Sequence, residues 1–143
     1  MTKLMTKTRS AQESYSIVEE AARAADDGVR MIPDTMQIGQ VARQGDIYLH
    51  RVSADHPCGA ATTDRQLAVG TTQGSRHVAD APAQVYIGTT PPPTAPRTLL
   101  GPCIVLSERG VVSHPEHAHI SLPAGVYQVT HQMDARTLER VSD

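Results

Sequence analysis

Apolar residues in this chain arrive in short runs closed off by Gly or Pro, and that punctuation limits the fold more than any other feature. Gln84-Val85-Tyr86-Ile87 stops at Gly88, and Cys103-Ile104-Val105-Leu106 lies between Pro102 and Gly110. A helical bundle needs apolar positions recurring over longer uninterrupted stretches, whereas β-branched aliphatics in short runs suit a pleated surface. With no Phe and no Trp, the core volume must come from four Tyr together with Val, Ile, Leu and Ala. A chain of 143 residues can bury one such core and not two. The expectation is an all-β domain.

Turn signals divide this domain into about seven short strands. Residues 46–52 follow the turn pair Gln44-Gly45, residues 66–69 end at Gly70, and residues 84–87 end at Gly88. The segment Pro91-Pro92-Pro93 cannot supply ladder N–H groups and is expected to run as a stiff, extended connector. Beyond it, residues 103–107 read as a buried strand and Glu108-Arg109-Gly110 as a hairpin turn into Val111-Val112. Residues 117–122 and 126–132 are two more strands, joined by Pro123-Ala124-Gly125. Such a series predicts a sandwich, a jelly roll or a small barrel. Residues 134–143 are read as a last helical turn or an edge strand.

The N-terminal part has a different texture. Ser10 with Glu13 forms a capping-box pair, the stretch to residue 27 is rich in Ala and Glu, and Gly28 is a natural stop. Tyr15, Val18, Ala22, Ala25 and Val29 fall on one weakly apolar stripe. An isolated helix of this length is marginal in water, so the arm must dock on its own body or on a neighbouring subunit. Met31-Ile32-Pro33-Asp34 reads as a hinge, which gives residues 1–33 as tail and helical arm and residues 34–143 as the β domain.

Charge and composition restrict the partners. The formal net charge is −2 and no long stretch of the body is dominated by Lys and Arg, so nucleic acid is not an expected partner. Lys3, Lys7 and Arg9 make only the first nine residues basic. No apolar run is long enough for a membrane helix, and the N-terminus lacks the apolar core of a secretory signal. The expected location is cytoplasm or virion, without secretion or membrane contact. Cys58 and Cys103 make neither a disulfide framework nor a CxxC pair, and Cys103 reads as a small buried hydrophobe.

The densest polar signal is Ser113-His114-Pro115-Glu116-His117-Ala118-His119, which holds three of the seven histidines. On a strand, His117 and His119 point to one face, where both imidazoles can meet a divalent transition metal, with His131, His77 or His114 completing the shell. The spacing resembles a degenerate cupin motif, in which a His-x-His and a later Glu and His bind metal inside a jelly roll. Here the Glu expected after His119 is missing and the later His comes too late. The plainer reading has His114 entering a turn before Pro115, Glu116 accepting a hydrogen bond from an imidazole, and the remaining histidines facing outward on a half-exposed strand. The loop Gly70-Thr71-Thr72-Gln73-Gly74-Ser75-Arg76-His77 could present backbone N–H groups to an anion, but it lacks the Gly-Lys-Ser/Thr ending of a phosphate loop. Ser75, His77 and Asp80 are too close along one strand for triad geometry.

Three stretches together carry a resemblance: Gln44-Gly45-Asp46-Ile47-Tyr48-Leu49, Gly74-Ser75-Arg76-His77, and the segment from His114-Pro115-Glu116-His117-Ala118-His119 through Leu122-Pro123-Ala124-Gly125-Val126-Tyr127-Gln128-Val129. Over residues 38–143 the chain resembles a group of small uncharacterised proteins of bacteriophages and prophages. The resemblance implies a gene context and no mechanism. The expected function is that of a non-catalytic structural or assembly protein, such as a virion accessory or capsid decoration protein. It would work as a homo-oligomer, with other virion proteins as partners and no cofactor. The alternative is a metal-dependent binding protein or cupin-like enzyme built on His117 and His119.

Overall fold

The computed structural model describes residues 28–68, 77–115 and 117–132. Within them the chain is all-β, with ten strands in two sheets and no helix. No helix among the described residues is long and apolar enough to cross a membrane. The helix expected over residues 10–27 and the element expected over 134–143 lie outside the described residues.

The six-stranded sheet starts from a tight hairpin. Strand β2 (Val41–Gln44) turns through Gly45, at φ +57, into β3 (Ile47–Val52), with Gln44 opposite Ile47. A left-handed residue in a two-residue loop matches the twist of the flanking strands, which is why Gly stands there. Strand β10 (Gly125–His131) pairs β3 on one side and β7 (Leu99–Leu106) on the other, and β6 (Gln84–Tyr86) and β4 (Ala61–Thr62) complete the sheet. The four-stranded sheet runs β1 (Val29–Met31), β9 (His119–Leu122), β8 (Gly110–Ser113) and β5 (Val78–Ala79). Both sheets contribute to one core, in which Leu49, Ile104 and Val129 of the larger sheet cluster with Val112, Ile120 and Leu122 of the smaller.

Two expected connections have a different role. Glu108-Arg109-Gly110 and Pro123-Ala124-Gly125 are corners that carry the chain from one sheet to the other, so neither closes a hairpin. At the first, a Cβ on Gly110 would lie 2.5 Å from Leu106 Cδ2, so a side chain there would require the tip of Leu106 to move aside. At the second, the buried Tyr127 donates its hydroxyl to Pro123 O at 2.7 Å, and burial pushes that phenol up to about 12. Arg51 donates to Ala124 O at 2.8 Å and also to Met36 O, which ties the corner to the segment between β1 and β2.

Val29, placed on the helical stripe in the sequence reading, instead opens β1, which pairs in parallel with β9. The expected hinge is part of the body: Ile32 is fully buried and its N–H continues the pairing to Ser121 O at 2.9 Å. Arg109 clamps this edge by donating to Ile32 O, Ser121 O and Asp34. Of residues 66–69, Gln66 makes an isolated bridge to Val78, while Leu67 and Ala68 are core residues outside any strand.

Gln128 repairs an irregularity in the sheet. The β7–β10 register shifts between Gln128 and Thr130, next to Gly101 and the N–H-less Pro102. The buried Gln128 amide donates to Gly101 O, Pro102 O and Val129 O at 2.8, 3.1 and 3.0 Å, so carbonyls left by the bulge are satisfied. Cys58 and Cys103, which the sequence reading left unpaired, form a disulfide with Cα atoms 5.6 Å apart. Strand pairing brings them together, because Cys103 is opposite Tyr86 in β6 and Gly88 just beyond donates to Cys58 O.

Candidate functional site

The antiparallel register of β5 and β8 sets Val78 opposite Ser113, which brings His77 and His114 together at the ends of their strands. Pro115 ends the ladder and the chain turns, so that the His117 N–H donates to His114 Nδ1 at 3.1 Å. The three imidazoles meet as tilted rings: centroids of His77 and His114 are 4.4 Å apart at 51° and those of His114 and His117 4.5 Å apart at 46°. His77 and His117 lie 6.5 Å apart with planes 13° from parallel.

The β2–β3 hairpin closes the cluster from the other sheet. His77 Nδ1 meets Gln44 Oε1 at 2.8 Å and its Nε2 meets Asp46 Oδ1 at 2.8 Å. His77 is 0 % exposed and Asp46 1 %, so this is a buried pair. The Gln44 amide is oriented by its other end, because Nε2 donates to Val112 O at 3.1 Å and to Ala118 O at 2.9 Å. Flipping it would set its oxygen against two carbonyls. Both nitrogens of His77 therefore face acceptors, which makes the ring a doubly protonated imidazolium against the Asp46 carboxylate. His114 spends the lone pair of Nδ1 on the His117 N–H. Neither ring offers a lone pair to an ion in this arrangement, and among the described residues no group of three or more His, Cys, Asp or Glu is placed to hold a metal.

The five histidines named as candidate ligands are thus divided. His77, His114 and His117 meet by ring contact. His119 opens β9, opposite Val29, in the smaller sheet. His131 ends β10 in the larger sheet, opposite Ile47 and Leu99, and lines a cavity of about 340 Å3 with Asp64, Leu67 and Gly101. His117 lies in the turn before β9, so it does not share a strand face with His119 as the His-x-His spacing had suggested. Asp80 accepts from Ser113 Oγ at 3.2 Å, while Ser75 and Arg76 lie outside the described residues.

Gln44 and Asp46 are the members of the cluster that sequence reasoning missed, since Gln-Gly-Asp reads as a turn. The available signal was that an acid and an amide flank a hairpin glycine at one end of the sheet. A second buried histidine stands apart. His50 on β3 meets Thr130 Oγ1 at 2.8 Å through Nε2, and burial pushes its imidazole down to about 4, so it is neutral.

No curated protein and no solved structure matches this chain. Residues 43–132, from within β2 to the residue after β10, match the model of a family described as "Domain of unknown function (DUF8820)".

Proposed function

Since the chain belongs to that family, whose description attaches no activity to the fold, we propose from the geometry that it is a non-catalytic structural protein. It works as a homo-oligomer within a larger assembly such as a virion, as an accessory or decoration protein. The observation that carries the non-catalytic part is the buried His77, whose two nitrogens are bound at 2.8 Å by Gln44 and Asp46. A histidine that shuttles protons or holds a metal needs one nitrogen available to substrate or ion. This one instead joins the β2–β3 hairpin to β5, which is the work of a structural lock.

The oligomeric part rests on the N-terminal segment. Residues 10–27 carry the pattern of a helix that cannot stand alone, and the chain passes from them through Gly28 into β1, an edge strand. In this reading the arm docks on a neighbouring copy. The virion setting rests on the sequence resemblance.

Light scattering coupled to size exclusion tests the reading on the full chain and on a variant lacking residues 1–27. The expected result is an oligomer that shrinks when the segment is removed. A monomer in both cases overturns the oligomeric part. Metal analysis of untagged protein tests the other part: stoichiometric metal that disappears in the His117→Ala, His119→Ala double variant would establish the metal-dependent alternative instead.

A further inference from the structure

Away from the histidine cluster, the loop 87–98 between β6 and β7 passes over the end of β3 and encloses a groove of about 470 Å3. We propose that this groove binds a small uncharged aromatic molecule bearing one O–H or N–H donor, of the phenol or indole class. Its walls are apolar: Ile38, Val52, Pro57 and Pro91-Pro92-Pro93. Ile38, at the rim, is a large aliphatic left 65 % exposed by the described residues. A volume of this size with few polar groups is what a small-ligand site requires.

The polar lining states which end of a ligand it wants. The Gln128 amide gives its N–H groups to three carbonyls, so its Oε1 is an acceptor. His56 Nε2 lies 3.1 Å from that oxygen and 3.1 Å from Thr90 O, and between two acceptors it must carry the proton. When the ring is neutral its lone pair is on Nδ1, to which no group among the described residues donates. Asp55 adds a carboxylate, and prolines contribute no N–H. Beside the Ser53, Thr90 and Thr94 hydroxyls, which can serve either way, the groove therefore adds acceptors that take a donor.

Two further features select an uncharged ring. Arg51 and Asp55 both line the groove, so a full charge of either sign meets one like and one opposite charge, and its lost hydration decides against it. Arg51 has committed N–H groups to Met36 O and Ala124 O, so it is held beside the groove, and a held guanidinium can stack on a flat π-system. The site is also preformed. The disulfide from Cys58 to Cys103 and the His56–Gln128 hydrogen bond fix the wall formed by residues 53–58 on the sheet, so binding pays little for ordering it.

The test is an amide-resolved NMR titration of the full chain with phenol, benzoate and benzylamine, each to about 10 mM, the range in which fragments of this size bind, and with toluene up to its solubility limit. Phenol should give saturable shifts centred on Ile38, His56 and Thr94. Toluene should bind about five-fold more weakly for want of the hydrogen bond, and both charged probes more weakly than phenol. Ile38→Ser, a change at an exposed position, should weaken phenol a few-fold while leaving the rest of the spectrum in place. Absence of saturable shifts, or shifts centred elsewhere, overturns the site. Toluene binding as tightly as phenol overturns the donor requirement, and tighter binding of benzoate or benzylamine overturns the uncharged class.

Discussion

His77 Nε2 and Asp46 Oδ1 lie 2.8 Å apart across the gap between the two sheets, with both side chains withdrawn from water. The second His77 nitrogen is equally engaged, by Gln44 on the same hairpin. A charged pair so placed contributes little net stability when complete, because desolvation offsets the attraction, but it is costly to break.

His77→Leu should therefore lower unfolding stability by roughly 3–5 kcal/mol, since it leaves a buried carboxylate and a buried amide oxygen without their donors. Denaturant unfolding reads the loss. In the parent protein a long-range 1H–15N spectrum at neutral pH should show protons on both ring nitrogens of His77. A bare Nε2 would place the proton on Asp46 and remove the ion pair.

His50 gives a pH dependence of defined sign. Burial holds its imidazole down to about 4, against about 6.5 for an unfolded histidine. Between these values the unfolded chain binds a proton that the folded chain refuses, so this contribution to stability falls as pH drops from about 6.5 to about 4 and is flat outside that window. The full loss is roughly 3 kcal/mol. Unfolding measured across this range should show a shallower slope in His50→Leu, and an unchanged slope would remove His50 as the cause.

Gln128→Leu is expected to cost more than its modest change in volume suggests. The amide serves the carbonyls of Gly101 and Pro102 at the bulge and accepts from His56. Leaving these groups unsatisfied costs roughly 1–3 kcal/mol, and hydrogen exchange at β7 and β10 should accelerate locally. Protection unchanged along both strands would show that water replaces the amide without loss.

Joining Cys58 to Cys103 closes a loop of 45 residues' separation, which chain entropy values at roughly 4 kcal/mol. The Cys58→Ser, Cys103→Ser variant should unfold at a lower temperature than the parent, and reductant should lower the parent to the same point without affecting the variant. Equal melting with and without reductant would mean that the thiols are not joined in solution.

Sequence patterning located the strands whose own residues decide the matter. β3, β7 and β10 have enough alternating Val, Ile, Leu and Tyr to declare themselves, and each spans six to eight residues. β1, β4 and β5 are two or three residues long and exist because a neighbour pairs with them, which no local pattern records. The corners at Arg109 and Ala124 look like hairpin turns in sequence, because the difference lies in which sheet the next strand joins. Three members of the cluster, His77, His114 and His117, were visible as candidates. Their link to Gln44 and Asp46 was not, for it spans 33 and 31 residues and depends on two sheets meeting.

The parallel pairing of β1 with β9 has a mechanical consequence. A pull on Gly28 is met by three paired positions on β9, by the Arg109 clamp and by the hydrogen bond from Arg30 to Arg43 O. Among the described residues β1 is paired on one side and β9 on both, so β1 is the weaker link of the two.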